Sequence, residues 1–370
     1  MTLPRIPVAA PVLGEEELAN VVAAVRSGWI SSLGAFVGEF ERDFAALCGA
    51  TYGVAAANGT VALHLALVAM GVGPGDEVLL PSLTFVATAS VVRYCGATPV
   101  FVDSDLETWQ LDPAALEAKL TRRSKAIIPV HIYGHPCDME PILALAARRG
   151  LAVVEDAAEA HGARYRGRPV GALGTIGCFS FYGNKIITTG EGGMCLTNDP
   201  VVAGRLRLLR DHGMDPKRPY WHEIIGYNYR MTNLQAAVGV AQVKKLAAFV
   251  ERKREIAAWY AEALAPLARA GRIRLHPEAP WARSVFWMYS VLLEGTDLSV
   301  DQVRSRLNDR GVDSRPFFCP AHILPPYATG ERLPVAEYLA SRGINLPSGV
   351  GLERSQVERV AHALGEALKG

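Results

Sequence analysis

Cys178–Gly193, CFSFYGNKIITTGEGG, is the stretch on which the reading turns. It holds a single basic residue, Lys185. An apolar, aromatic run (Phe179, Phe181, Tyr182) precedes that lysine and a glycine-rich turn follows it. A buried strand that ends in one amine is costly, because desolvation disfavours the ammonium form and drives the amine toward its neutral, nucleophilic state. A neutral amine in a pocket is what Schiff-base chemistry requires. The competing reading is a lysine that snorkels from a strand end into water. The stretch alone does not decide between them.

Upstream of it the pattern is regular. Strand Glu77–Leu80 leads to Pro81-Ser82-Leu83-Thr84-Phe85 and a helix over Val86–Tyr94. Strand Thr98–Val102 ends in Asp103, and a helix over Pro113–Leu120 follows. Strand Ala126–Val130 ends in His131, a helix covers Glu140–Arg149, and strand Leu151–Glu155 ends in Asp156. Such βα units predict a largely parallel sheet covered on both faces. Function in these sheets gathers at the carboxyl ends of the strands. Phe85, His131, Asp156 and Lys185 all follow strand ends, and their convergence is the second argument for a site.

Further upstream, helices are expected over Glu15–Arg26 and Val37–Cys48, with Trp29-Ile30-Ser31-Ser32 as a loop between them. Strand Tyr52–Ala57, the turn Asn58-Gly59-Thr60 and an apolar helix Val61–Met70 form a candidate anion site, where free N–H groups and the helix dipole point at one spot. Asn58 as a plain N-cap is the simpler alternative. Downstream, the spacing predicts a helix over Val202–His212, then the loop Ile225–Asn233. A small-residue helix Leu234–Val243 and a separate connector helix Lys245–Leu264 follow. From about Arg272 the texture changes to short strands and helices.

The chain has 370 residues, half of them hydrophobic and a fifth charged, enough for two domains. We expect a large α/β domain over 1–250 and a smaller α+β domain over 251–370. A net charge of +1 leaves no electrostatic footprint for nucleic acid. The six cysteines contain no CxxC pair and read as reduced thiols of a cytoplasmic protein. No stretch is apolar for long enough to span a membrane, and the N-terminus lacks a secretory layout. His131 and His135 stand at i and i+4, but Gly134 and Pro136 argue against a shared helix face, so no metal is expected. An acid closing a buried strand, as Asp156 does, costs several kcal/mol unless a cation pairs with it. A protonated ring nitrogen of a cofactor would serve. The alternative is an N-cap on a short helix Ala157–His161.

Asn58-Gly59-Thr60, PSLTFVATA at Pro81–Ala89, VVEDAAEAHGA at Val153–Ala163, FSFYGNKIITTGEGG at Phe179–Gly193 and GYNYRMTNLQAA at Gly226–Ala237 resemble, in order, the DegT/DnrJ/StrS nucleotide-sugar aminotransferases. The resemblance implies the fold-type I, aspartate aminotransferase-like fold of pyridoxal 5'-phosphate (PLP) enzymes, with a mostly parallel seven-stranded sheet. Within the family the chain is most similar to the branch that aminates GDP-4-keto-6-deoxymannose with glutamate as donor. WISSLGAFVGEFE, VFWMY and SRPFFCPAHILPPYA are among the stretches that carry this.

The resemblance implies that Lys185 holds PLP as a Schiff base and moves the proton. It implies that Asp156 pairs with the ring nitrogen and Phe85 stacks on the ring. Gly59, Thr60 and Ser180 would bind the phosphate, and Asn228 would reach that phosphate from the neighbouring subunit of a homodimer with shared sites. Glu159, where many members carry glutamine, would lie beside the ring hydroxyl. Arg230, His322 and Tyr327 are expected substrate contacts, and Trp29 and Ser31 are expected to line the sugar pocket. For Arg230 the alternative is a loop salt bridge, and for Tyr327 core filling.

Three rival functions were weighed. A sugar-nucleotide oxidoreductase on a dinucleotide-binding sheet needs GxGxxG after its first strand, and Gly171, Gly174 and Gly177 have the wrong spacing. A PLP-binding regulator would carry a DNA-binding appendage or basic patch, which the sequence lacks. The related 3-dehydratases place histidine where this chain has Lys185, so its lysine favours transamination.

Overall fold

In the computed structural model, which describes residues 4–369, the βα pattern closes into one large sheet. Its first strands are β1 (Tyr52–Ala56), β2 (Glu77–Pro81), β3 (Thr98–Val102), β4 (Ser124–Ile127) and β5 (Ala152–Asp156). A short hairpin, β6 (Arg164–Tyr165) and β7 (Arg168–Pro169), precedes β8 (Ile176–Ser180) and β9 (Gly193–Thr197). The seven-stranded order is β1-β9-β8-β5-β4-β2-β3. All neighbours from β8 to β3 run parallel, while β9 is antiparallel to both β1 and β8. Strands β2, β8 and β9 are buried at every position, as a sheet covered on both faces demands.

Seven helices belong to this layer: α1 (Glu15–Ser27), α2 (Ala35–Leu47), α3 (Gly59–Ala69), α4 (Ala87–Tyr94), α5 (Pro113–Lys119), α6 (Met139–Arg149) and α7 (Pro200–Arg210). The next helix, α8 (Asn233–Arg269), is continuous over 37 residues, where the sequence suggested two helices. Lys244 and Lys245, which look like a polar break, pair with Glu16 and Glu17 of α1, both at 2.5 Å. They are docking groups, and the helix runs through them.

A second core surrounds the far half of α8. Ile256, Tyr260 and Leu264 pack against Val291, Val303, Ile344 and Val360. The elements of this part of the chain are β10 (Ile273–Leu275), β11 (Ala282–Arg283), β12 (Tyr289–Leu293), α9 (Val300–Asp309), β13 (Arg315–Pro316), α10 (Pro334–Arg342), β14 (Gly343–Leu346) and α11 (Arg354–Ala367), and the four residues lie on β12, α9, β14 and α11. The small sheet is ordered β10-β12-β14-β13, and β11 joins β6 and β7. The two cores separate on α8 between Val250 and Ile256. Several segments cross that division: Ile6 is buried in the second core, while Val285, Trp287 and Met288 and, further on, Phe317, Ala321, Tyr327 and Leu339 pack into the first.

Residues 157–161 do not form the short helix considered for them. They turn immediately after β5, although Asp156 does accept the Ala158 N–H at 3.2 Å as a cap would.

Candidate active site

The carboxyl ends of β2, β5 and β8 and the N-terminus of α3 surround a cavity of about 560 Å³. Of the residues expected at the site, Gly59, Thr60, Phe85, Asp156, Glu159, Ser180 and Lys185 line it together. Thr88, Trp287 and Phe318 complete its wall.

Lys185 sits in the loop after β8. Its Nζ lies 3.6 Å from Glu159 Oε1 and 4.0 Å from the centre of the Trp287 ring. The carboxylate is thus just beyond hydrogen-bond reach. Burial pushes the Lys185 pKa down, and the carboxylates of Glu159 and Asp156 only partly offset that. Trp287 is fixed from two sides. Its indole N–H donates to the Asn184 carbonyl at 2.9 Å, and its own carbonyl accepts from the buried Lys253 Nζ at 2.7 Å.

Asp156 closes β5, buried. Thr88 Oγ1 donates to its Oδ2 at 2.8 Å, and Thr84 and Thr88 share a hydroxyl–hydroxyl bond of 2.9 Å. Burial raises the Asp156 pKa, and the hydrogen bonds from Thr88 and Ala158 together with the charge of Lys185 offset only part of this. Glu159, three residues on, is pushed up to about 7, chiefly by burial, with Lys185 opposing. Its Oε2 accepts the N–H of Tyr133 at 2.8 Å. Tyr133 reaches that position with φ 55°, a left-handed conformation rare for a bulky aromatic residue. Its ring stacks on Phe318 at 5.5 Å, and its hydroxyl accepts the Phe318 N–H at 3.1 Å.

At the opposite flank Asn58 caps α3 by accepting the Val61 N–H at 3.0 Å. The cap leaves the remaining first-turn N–H groups of α3 facing the cavity, with a dipole that favours anions. A side chain at position 59 would bring its Cβ to 2.6 Å from Ser180 Cβ, so only glycine allows helix and strand end to approach this closely.

One step behind the cavity, Glu155 is wholly buried and accepts the N–H groups of Gly171, Leu173 and Gly174, each at 2.7 Å. Burial alone would raise its pKa; the hydrogen bond and charge of His131, with the backbone donors, hold it lowered. His131 Nε2 lies 3.1 Å from Glu155, while its Nδ1 accepts the Cys137 N–H at 3.0 Å. His135 is bonded to Pro136 O and the Ala279 N–H. Both imidazoles are therefore held by protein groups.

The remaining expected residues stand outside the cavity wall. Trp29 is 56% exposed, and its carbonyl and that of Ser31 accept from Asn233 at the start of α8. Arg230 pairs with Asp211 at 2.7 Å and donates to Asn228 Oδ1 at 3.0 Å. Within one chain this is a loop salt bridge. His322 is buried, with Nδ1 2.6 Å from Ser82 Oγ and Nε2 3.3 Å from Glu337. Tyr327 is also buried, and its hydroxyl bonds Ser90 at 2.7 Å. His322 and Tyr327 thus tie the 318–327 segment to the loop that carries Phe85 and to helix α4, which carries Thr88. Sequence reading missed Thr88, Tyr133 and Trp287. Thr88 and Trp287 fell in stretches already singled out, PSLTFVATA and VFWMY, but nothing in them shows that Thr88 meets Asp156 or that Trp287 covers a lysine about a hundred residues earlier.

A buried amine at a strand end, a carboxyl buried beside it and a helix N-terminus, set on this sheet, define a transferase site of the aminotransferase class. The sequence profile of the DegT/DnrJ/EryC1/StrS aminotransferase family matches residues 11–365, and the chain belongs to that family. It is 52% identical over 369 residues to the GDP-perosamine synthase of Caulobacter vibrioides, covering 99% of each chain. It is 45% identical over 362 residues to the GDP-perosamine synthase of Escherichia coli O157:H7, covering 98% of each. Among solved structures, Streptomyces venezuelae DesV in complex with a ketimine intermediate superposes with a TM-score of 0.91 at 39% identity, covering 100% of both chains.

Proposed function

We propose that this chain uses PLP to move the amino group of L-glutamate to a keto-sugar nucleotide, converting GDP-4-keto-6-deoxymannose to GDP-perosamine. The observation that carries the reading is the Lys185 amine, kept from its nearest carboxylate at 3.6 Å and facing a cavity that also holds the buried Asp156. The residues fit the cofactor. Asp156 is a buried acid that lacks a bonded cation, Lys185 is an amine driven toward neutrality, and the first turn of α3 is an anion cradle that a Cβ at position 59 would disturb.

When bound, PLP supplies an aldehyde that condenses with amines and a ring that accepts electron density. The chain supplies the rest. Thr88 and Ala158 orient the two oxygens of Asp156, which stays anionic when a ring-nitrogen cation faces it. Lys185 Nζ takes the proton from the amino donor and returns it to the sugar carbon as general base and acid. Trp287 and the Phe318–Tyr133 stack wall off water from that amine. Gly59, Thr60 and Ser180 hold the phosphate.

The charge count supports a homodimer. Asp156, Glu159, Lys185 and Glu191 are the charged residues lining the cavity, three acids and one base. A cofactor phosphate, a nucleotide diphosphate and glutamate are all anionic, so further cations must come from outside it. The loop with Arg218 and Arg230 carries such charges, and its Tyr220 and Ile225 are each 90% exposed, a patch suited to a second copy. We therefore read Asn228 and Arg230 as completing the neighbour's site. Trp29, Ser31, His322 and Tyr327 remain proposed contacts or supports for the substrate. Among the described residues no helix is long and apolar enough to cross a membrane. The six cysteines are all free, which supports a reducing, cytoplasmic setting.

Purified protein mixed with PLP is expected to show a visible imine band that is absent in Lys185→Ala. Glutamate should convert that band and release 2-oxoglutarate, and GDP-4-keto-6-deoxymannose should restore it. Conversion only with UDP- or dTDP-linked keto sugars would reject the GDP assignment. A PLP-saturated protein inert to glutamate would reject the transamination itself.

A further inference from the structure

We propose that Glu159 enters the cavity as a neutral carboxylic acid, with Oε2 held as acceptor by the Tyr133 amide and Oε1 donating its proton to the phenolic oxygen of PLP. The inference rests on the PLP reading above.

The geometry assigns the two oxygens different work. Oε2 takes the Tyr133 N–H at 2.8 Å, and the left-handed backbone at Tyr133 aims that N–H inward. Oε1 is the oxygen on the Lys185 side, 3.6 Å from Nζ. On the ring of PLP the aldehyde lies para to the nitrogen and ortho to the phenolic oxygen. A ring whose aldehyde reaches Lys185 therefore brings its phenolic oxygen beside the group next to Lys185, and its nitrogen toward the opposite side.

The charges then favour the neutral acid. The titratable groups that face Glu159 are Lys185 from the loop after β8, Asp156 at the end of β5 and the phenol of Tyr133. Asp156 is taken up by the ring-nitrogen cation. Were Lys185 joined to the aldehyde, the proton on its nitrogen would be shared with the phenolic oxygen and no longer offered to Glu159. An ionised Glu159 would then set a second anion against that oxygen, in a site where burial already favours the uncharged acid. A protonated Glu159 instead presents one acceptor and one donor. That is the polarity of a glutamine side chain.

The test compares wild type with Glu159→Gln. In ligand-free wild type, the infrared carbonyl stretch of a protonated carboxylic acid should be present at pH 6, diminish by pH 9 and be missing from the variant. In PLP titrations followed by absorbance, the affinity of wild type relative to the variant should fall by up to about tenfold per pH unit above the Glu159 transition. Glu159→Gln should therefore bind PLP with a flatter pH profile. Superimposable profiles, or no acid band specific to Glu159, would overturn the proposal while leaving PLP binding intact. If the variant does not fold, the pH-dependent acid band of wild type, assigned with Glu159→Asp, decides alone. Failure of wild type to bind PLP at any pH would instead defeat the reading beneath it.

Discussion

Replacing Asp156 with asparagine sets the stability of the ligand-free protein against its hold on PLP. In the ligand-free chain Asp156 is buried, and its oxygens accept from Thr88 at 2.8 Å and from Ala158 at 3.2 Å. Burial raises its folded-state pKa. A raised carboxyl pKa adds no cost below the unfolded value of about 3.9, destabilises the fold increasingly as pH climbs from there to the folded value, and levels off above it. Asparagine keeps the shape. Its carbonyl oxygen can still accept the Ala158 N–H, and its amide can donate to Thr88 Oγ1, whose own proton then turns to Thr84. We therefore expect Asp156→Asn to stabilise the ligand-free protein by about 1–3 kcal/mol at pH 9, and by less at pH 5. With PLP the sign reverses. The ring-nitrogen cation loses its counter-ion, and breaking a buried ion pair costs about 3–5 kcal/mol. At about 1.4 kcal/mol per decade, the Kd for PLP should rise by about two to three and a half orders of magnitude. Calorimetric melting of ligand-free protein at pH 5 and pH 9, with PLP titrations on the same samples, measures both effects. A variant that melts earlier than wild type at pH 9 without ligand, or that binds PLP as tightly as wild type, would refute this account of Asp156.

Further outcomes follow from the groups around it. Gly59→Ala puts a Cβ 2.6 Å from Ser180 Cβ, an overpacking cost of about 1–3 kcal/mol, so affinity for PLP should fall by about tenfold while affinity for unphosphorylated pyridoxal changes less. Equal losses for both ligands would place the phosphate elsewhere. Glu155→Gln turns an amide toward backbone N–H groups that now meet a carboxylate, and should destabilise the protein by about 3–5 kcal/mol at pH 7 in chemical denaturation. Because the Glu155 pKa is lowered in the fold, its contribution is present above the unfolded value and lost as pH falls, so wild type and variant should converge in acid. Trp287→Phe keeps a ring near Lys185 but leaves the Asn184 carbonyl without its indole donor, and should cost about 1–2 kcal/mol in thermal melting.

Much of this site was legible because its members sit where sequence is most local. Asp156 and Lys185 each follow a buried strand, and a charged residue in that position is visible as a break in an apolar run. Gly59 and Thr60 were legible for a similar reason, as a strand–turn–helix boundary. What escaped depends on contacts between distant segments. Thr88 looks like any residue of α4 until β5 brings Asp156 against it. Tyr133 reads as a loop aromatic, and only the folded backbone shows its N–H aimed at Glu159. The break placed between Val243 and Lys245 failed for the same cause: the two lysines there are polar in sequence but spoken for by Glu16 and Glu17 in space. His322 and Tyr327 show the converse. Their chemistry suggested ligand contact, while burial and bonds to Ser82 and Ser90 anchor them to neighbouring loops.

Because α8 passes unbroken from one core into the other, it acts as a shared axle about 55 Å long at a rise of 1.5 Å per residue. Neither core can shed its share of this rod without exposing apolar side chains of the same helix. Heat should therefore dissolve both halves of the molecule in one cooperative event.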